Sequence, residues 1–201
     1  MKRVNLEVGA YGVNCSILIV DTKAWLVDPG ADADTIIRML TKEGLSPTAI
    51  LLTHGHFDHI GAIPALQKAY PDLPVYVSND DARVLTHPFN QMPPDYPAIP
   101  MPANLRDAAT LILPVDVQVI ATPGHTPGGV CYYFPTEKLL LSGDTLFAGS
   151  IGRTDFPGGD MKAMTASLKT LTALPDDVTV VPGHGPLTTI AAEKRGNPFL
   201  I

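Results

Sequence analysis

The sequence predicts an α/β fold, a four-layer αββα sandwich of two sheets with helices outside, carried by a single domain spanning residues 1–201. Three observations predict it. Strand-like apolar runs alternate with helical patterns, and the order repeats in two halves, each with a sheet face to bury. The run 48–53 (TAILLT) is unbroken apolar sequence, as in a strand covered on both faces. Several such runs then end alike, in a Gly-flanked His or Asp.

The elements follow from local pattern. Residues 2–8 alternate polar and apolar, Gly9 and Gly12 mark a turn, and 14–20 and 24–28 read as strands, the latter ending at Pro29-Gly30. Asp32 suits the N-cap of a helix running to about Glu43, with Ile36, Ile37 and Leu40 on one face and Gly44 as its stop. Strand 48–53 is followed by a helix over about 59–70, a short strand at 75–77 and a helix starting near Asn79. Six prolines in 88–102 leave no regular element there, so this segment is either a flap over a pocket or a plain connector. Strands follow at 110–113, 117–122, 129–134 and 138–142, then a helix from about Asp160 to Leu174, a strand at 178–181 and a short amphipathic tail.

Composition narrows the function. The net charge of −6 offers no basic face for nucleic acid or an anionic membrane, and no apolar run is long enough to span a bilayer. The N-terminal MKRVNLEVGAYG lacks the apolar region of a signal peptide. Cys15 and Cys131 sit inside strand-like runs and read as small core residues, which argues for a reducing compartment and a cytoplasmic protein. Nothing in the sequence reports oligomeric state.

The chemistry concentrates in LLTHGHFDHIG, residues 51–61, which places His54, His56, Asp58 and His59 where a strand runs into a loop. Residues two apart in an extended segment point the same way, so His54 and His56 can reach one ion, with Gly55 putting no side chain between them. Asp58 and His59, past the bend, can face a second point. A helix cap would account for Asp58 but not for three histidines. His125 in TPGHTPGG, Asp144 in LLLSGDTLF and His184 in VVPGHGP each follow an apolar run in the same manner. His87, before Pro88, has no such context. Five His and two Asp are not the thiolate-rich set of a structural zinc. They suit two borderline divalent ions about 3.5–4 Å apart, with a carboxylate able to bridge. Zinc is the first candidate, with iron or manganese as the others.

These motifs, together with VDPG at 27–30, SGDTLFAGSIGRTDFPGGD at 142–160 and the ending TTIAAEKRGNPFL, resemble the metallo-β-lactamase fold superfamily, and within it the short bacterial proteins of the type II glyoxalase (hydroxyacylglutathione hydrolase) branch. The resemblance implies His54, His56 and His125 on a first metal, Asp58, His59 and His184 on a second, and Asp144 bridging. It makes Asp28 a buried structural carboxylate and Asp58 also the group that orients a metal-bridging hydroxide. The implied substrate is a small-molecule thioester, glutathione-derived, such as S-lactoylglutathione. Arg153 matches a substrate-binding residue of the family, and its alternative is an ion pair with Asp155. Full-length family members carry a C-terminal helical region that contacts glutathione. Here few residues follow His184, and Lys194 and Arg195 are the basic groups left for that role. The segment 152–156 (GRTDF) equally resembles persulfide dioxygenases, which use one iron on two His and one Asp. Lactonases and β-lactamases of the same fold are further readings, and a metal-stabilised binding domain without activity is the non-enzymatic one.

Overall fold

A computed structural model describes residues 1–200. By its internal contacts the chain divides into two units, with the break between Leu111 and Ile112. The first unit holds one six-stranded sheet in sequence order, β1 (Lys2–Val8), β2 (Val13–Val20), β3 (Lys23–Val27), β4 (Ser46–Leu51), β5 (Val75–Val77) and β6 (Leu105–Asp107). Its first two pairings are antiparallel hairpin connections, and from β3 onward the strands run parallel. Those parallel steps require crossovers. Helix α1 (Ala33–Lys42) makes the first, and α2 (Phe57–Ile60) with α3 (Ile63–Ala69) the second. Ile36 and Leu40 of α1 and Ile63 and Leu66 of α3 pack into one core with Ile17, Leu26 and Ile50 of the sheet. Each such side chain contributes about 1.5–3 kcal/mol on burial.

Four local expectations are corrected in this unit. Asp32 precedes α1 with φ 56°, and its carboxylate accepts from the Gly9 amide at 2.8 Å instead of capping the helix. The expected helix 59–70 is two helices, broken at Gly61, where a Cβ would meet the Gly30 carbonyl oxygen at 2.4 Å. No helix starts near Asn79; that stretch is a series of turns. The strand expected at 110–113 lies earlier, as β6 and a 3₁₀ turn over Ala108–Thr110. The apolar Leu111-Ile112-Leu113 misled the pattern, since Ile112 is 87% exposed.

The second unit holds a five-stranded sheet and a small hairpin. The sheet comprises β7 (Gln118–Ala121), β8 (Val130–Phe134), β9 (Leu139–Gly143), β12 (Thr179–Pro182) and β13 (Thr188–Thr189), in the order β13-β12-β9-β8-β7. The hairpin pairs β10 (Leu146–Phe147) with β11 (Ser150–Ile151). Strand β12 lies parallel to β9, and the connection between them contains α4 (Met161–Thr172). Met164, Leu168 and Leu171 of α4 pack into a core with Leu140, Val178 and Val180. The Asp160 carboxylate caps α4 by accepting from the Ala163 amide at 2.9 Å. Asp160→Ala is therefore expected to cost about 1 kcal/mol, read as a lowered midpoint in urea with unchanged slope.

The closing helix α5 (Ile190–Gly196) is tied down by polar contacts. Buried Glu193 accepts from the Gly149 amide at 2.9 Å, the Thr188 hydroxyl at 2.6 Å and Asn197 Nδ2 at 2.8 Å. Asn197 Nδ2 also donates to the Ser150 carbonyl at 2.9 Å. The tail motif thus holds the hairpin that follows Asp144. Among the described residues no helix is long and apolar enough to cross a membrane.

Candidate metal centre

Each ligand candidate stands where a strand gives out, because a strand end is rigid while the loop after it is free to aim side chains. In the first unit β4 delivers Thr53, His54 and the short α2. His54, His56, Asp58 and His59 are all buried. Their rings crowd together: the His54 centroid lies 4.9 Å from that of His56 and 4.1 Å from that of His59. His59 Nε2 lies 3.9 Å from the Asp58 carboxylate.

Asp28 organises this group from behind. Its backbone sits at φ 50°, held by a hydrogen bond that its amide donates to the Leu51 carbonyl at 3.0 Å. Its carboxylate accepts from the Thr53 amide at 2.8 Å and the Thr53 hydroxyl at 2.6 Å, and lies 3.0 Å from His59 Nδ1. With its proton committed to Asp28, the Thr53 hydroxyl receives His54 Nδ1 at 3.1 Å as a donor. His54 then carries its proton on Nδ1 and presents Nε2 as the metal-binding atom. Gly30 permits the packing that brings this about, since a Cβ there would fall 1.6 Å from the Asp58 carbonyl oxygen.

In the second unit the three expected residues also come together. His125 and His184 each place Nε2 3.5 Å from the same carboxylate oxygen of Asp144. One carboxylate oxygen thus faces both imidazoles. His125 Nδ1 donates to the Arg153 carbonyl at 2.7 Å, again leaving Nε2 for a cation. Gly152 is the counterpart of Gly30: a Cβ there would lie 1.8 Å from the Asp144 carbonyl oxygen and 3.2 Å from His125 Cγ. A register shift at Pro182 pairs it with Gly143, and the Gly183 amide donates to the Gly143 carbonyl at 2.8 Å, so the ends bearing Asp144 and His184 are fastened to each other.

Arg153 contributes its carbonyl to His125, while its guanidinium is engaged elsewhere. The fork grips Asp155 at 2.7 Å through both Nε and the terminal nitrogen, and its carbon lies 3.8 Å from the Phe156 ring centre. Hydrogen bonding from Arg153 holds the Asp155 carboxyl at about 2. A carboxyl lowered by folding stabilises the native state above its unfolded value of 3.8 and loses that contribution as pH falls toward about 2. Carbon-detected NMR titration is expected to show Asp155 protonating in that window, and Arg153→Gln to return it toward 3.8. Lys194 is likewise occupied, at 2.7 Å from Asp176, and Arg195 is exposed. His87 stacks on Phe89 with ring centres 4.5 Å apart.

The cysteines are free and buried, and burial, followed by the charge of Asp28, pushes the Cys15 thiol well up. Neither is a nucleophile. Two residues that sequence reasoning did not single out touch the His54–His59 loop: Asp81 accepts from the Gly55 amide and Asn90 from the Phe57 amide. No spacing or motif marks them.

A family model of the metallo-beta-lactamase superfamily matches residues 8–184. The Haemophilus influenzae protein named hydroxyacylglutathione hydrolase GloC is 37% identical over 208 residues, covering 97% of this chain and 96% of that protein. The solved structure of BLEG-1, described as a B3 metallo-beta-lactamase, is 39% identical with a TM-score of 0.90 and covers 99% of each chain. That of TTHA1623, in a di-iron-bound form, is 39% identical with a TM-score of 0.86, covering 98% of this chain and 100% of the other. With donor-bearing strand ends in both units and a family match across nearly the whole length, the chain belongs to the metallo-beta-lactamase superfamily, has its α/β fold and is a metallo-hydrolase.

Proposed function

We propose that the two ligand groups form one binuclear centre in a single catalytic domain and that the protein hydrolyses thioesters of glutathione, S-lactoylglutathione among them. One cation falls to His54, His56 and His125, the other to Asp58, His59 and His184, with Asp144 between them. The observation that carries this reading is the Asp144 oxygen set 3.5 Å from two imidazole Nε2 atoms. His54 and His125 each have Nδ1 committed to an acceptor, which suits them to divalent ions. Imidazole and carboxylate donors fit zinc, iron or manganese, and iron occupies the TTHA1623 structure.

Divalent cations bound there supply a Lewis acid for the acyl carbonyl and a water acidic enough to ionise near neutral pH. The protein's residues do the rest. Asp58 orients the attacking hydroxide. The C–O bond forms first, by addition to the acyl carbonyl, and the C–S bond then breaks; the departing thiolate, a weak base, needs no protein acid. Arg153 takes a substrate carboxylate in exchange for Asp155; the bidentate grip it has on Asp155 supports this reading. The two free thiols suit the reducing cytoplasm where glutathione esters would be met.

The test is steady-state turnover on a panel of S-lactoylglutathione, a cephalosporin and glutathione persulfide, with elemental analysis of the same preparation. Thioester hydrolysis that chelation abolishes and metal restores is the expected result. Stoichiometric oxygen uptake with the persulfide would instead make the protein a dioxygenase, and cephalosporin turnover without thioester turnover would make it a lactamase.

A further inference from the structure

Asn90 is only 3% exposed, although it stands in the proline-rich stretch where neither helix nor strand forms. Its side chain is wholly spent on backbone. Oδ1 accepts from the Phe57 amide at 2.8 Å, and Nδ2 donates to the Gly55 carbonyl at 2.8 Å. Asp81, fully buried, takes the remaining polar group of Gly55 by accepting from its amide at 2.9 Å. The peptide groups on both sides of His56 are thus fixed by side chains from 81–90. They lie beyond the end of β4, where no ladder serves them, and a buried peptide group left unpaired costs about 1–3 kcal/mol. Packing reinforces the grip. A Cβ on Gly55 would sit 3.1 Å from both the Asp81 carbonyl oxygen and Val84 Cβ, and the Phe57 ring lies 5.2 Å from that of Tyr96.

We infer that Asn90, supported by Asp81, is a positioning residue that fixes the two peptide planes flanking His56 and so aims its imidazole before a cation arrives. The inference rests on the proposed centre only in taking His56 as a ligand. Pre-set backbone removes an ordering cost from binding, so its loss appears in metal affinity.

The experiment uses the full chain as wild type, Asn90→Ala, Asn90→Asp and Leu168→Ala, the last emptying a core position of the second unit. Zinc affinity is measured by chelator competition, and amide hydrogen exchange is followed in the metal-free protein. Asn90→Ala is expected to unprotect the Phe57 amide and to weaken zinc on the order of 10–100-fold. Asn90→Asp keeps the acceptor for Phe57 but loses the donor to Gly55, so Phe57 stays protected while zinc weakens by a smaller factor. Leu168→Ala is expected to lower Tm and leave zinc affinity within about twofold. Wild-type affinity in both Asn90 variants, or equal weakening in Leu168→Ala, overturns the proposal. If Asn90→Ala does not fold, Asn90→Asp decides it on the same readouts. If the wild type binds no zinc, the binuclear reading fails, and Phe57 exchange judges the clamp alone: protection lost in Asn90→Ala upholds it, protection unchanged rejects it.

Discussion

Asp144→Ala is expected to lower thioester turnover by more than the roughly 100-fold that loss of an outer-shell partner costs, and to reduce bound metal from about two equivalents. In the second unit one Asp144 oxygen faces both His125 Nε2 and His184 Nε2, at 3.5 Å each. In the proposed centre, its loss takes from each cation a ligand and the charge that lets two cations approach. Stability of the metal-free protein moves the other way or not at all, since the change removes a half-buried carboxylate rather than a packed apolar group. Steady-state kinetics, elemental analysis and a melt with chelator together separate a lost ligand from a lost fold.

The second large effect is structural. Gly30→Ala is expected to destabilise the protein by about 3 kcal/mol or more, seen as a collapse in soluble yield or a large fall in the urea midpoint. The new methyl would fall 1.6 Å from the Asp58 carbonyl oxygen, which is backbone and cannot swing aside. Relieving the clash pushes the short helix that carries Asp58 and His59 away from Asp28. Gly44→Ala is the control. Its φ is +64°, yet nothing lies within 4 Å of an added Cβ, so only the left-handed backbone is penalised, at about 1–2 kcal/mol. A Gly30→Ala protein as stable as Gly44→Ala would mean that residues 30 and 58 are not packed as described.

Much of this site was legible in the sequence because a ligand at a strand end leaves a local trace: an apolar run, a small residue, then His or Asp. Thr53-His54, Ser142-Gly143-Asp144 and Pro182-Gly183-His184 all show it, and in the fold His54 and His184 follow β4 and β12 while Asp144 directly follows β9. Most strands, and helices α1 and α4, lie where hydrophobic period put them. What was illegible is held by contacts distant in sequence. Asn90 reaches Gly55 across 35 residues and Asp81 across 26, from a segment with neither periodicity nor motif. The helix expected near Asn79 gives way to turns that bring the Asp81 carboxylate to the Gly55 amide. Asp32 looked like a cap because Asp before a helical pattern usually is one, and its bond to Gly9 lies 23 residues away.

The most direct measurement is anomalous diffraction from crystals of the protein loaded with zinc, collected on either side of the zinc edge. Two peaks about 3.5–4 Å apart, one near His54, His56 and His125, the other near Asp58, His59 and His184, with Asp144 touching both, are the predicted result. A single peak, or His184 and Asp144 turned away from any metal, would contradict it.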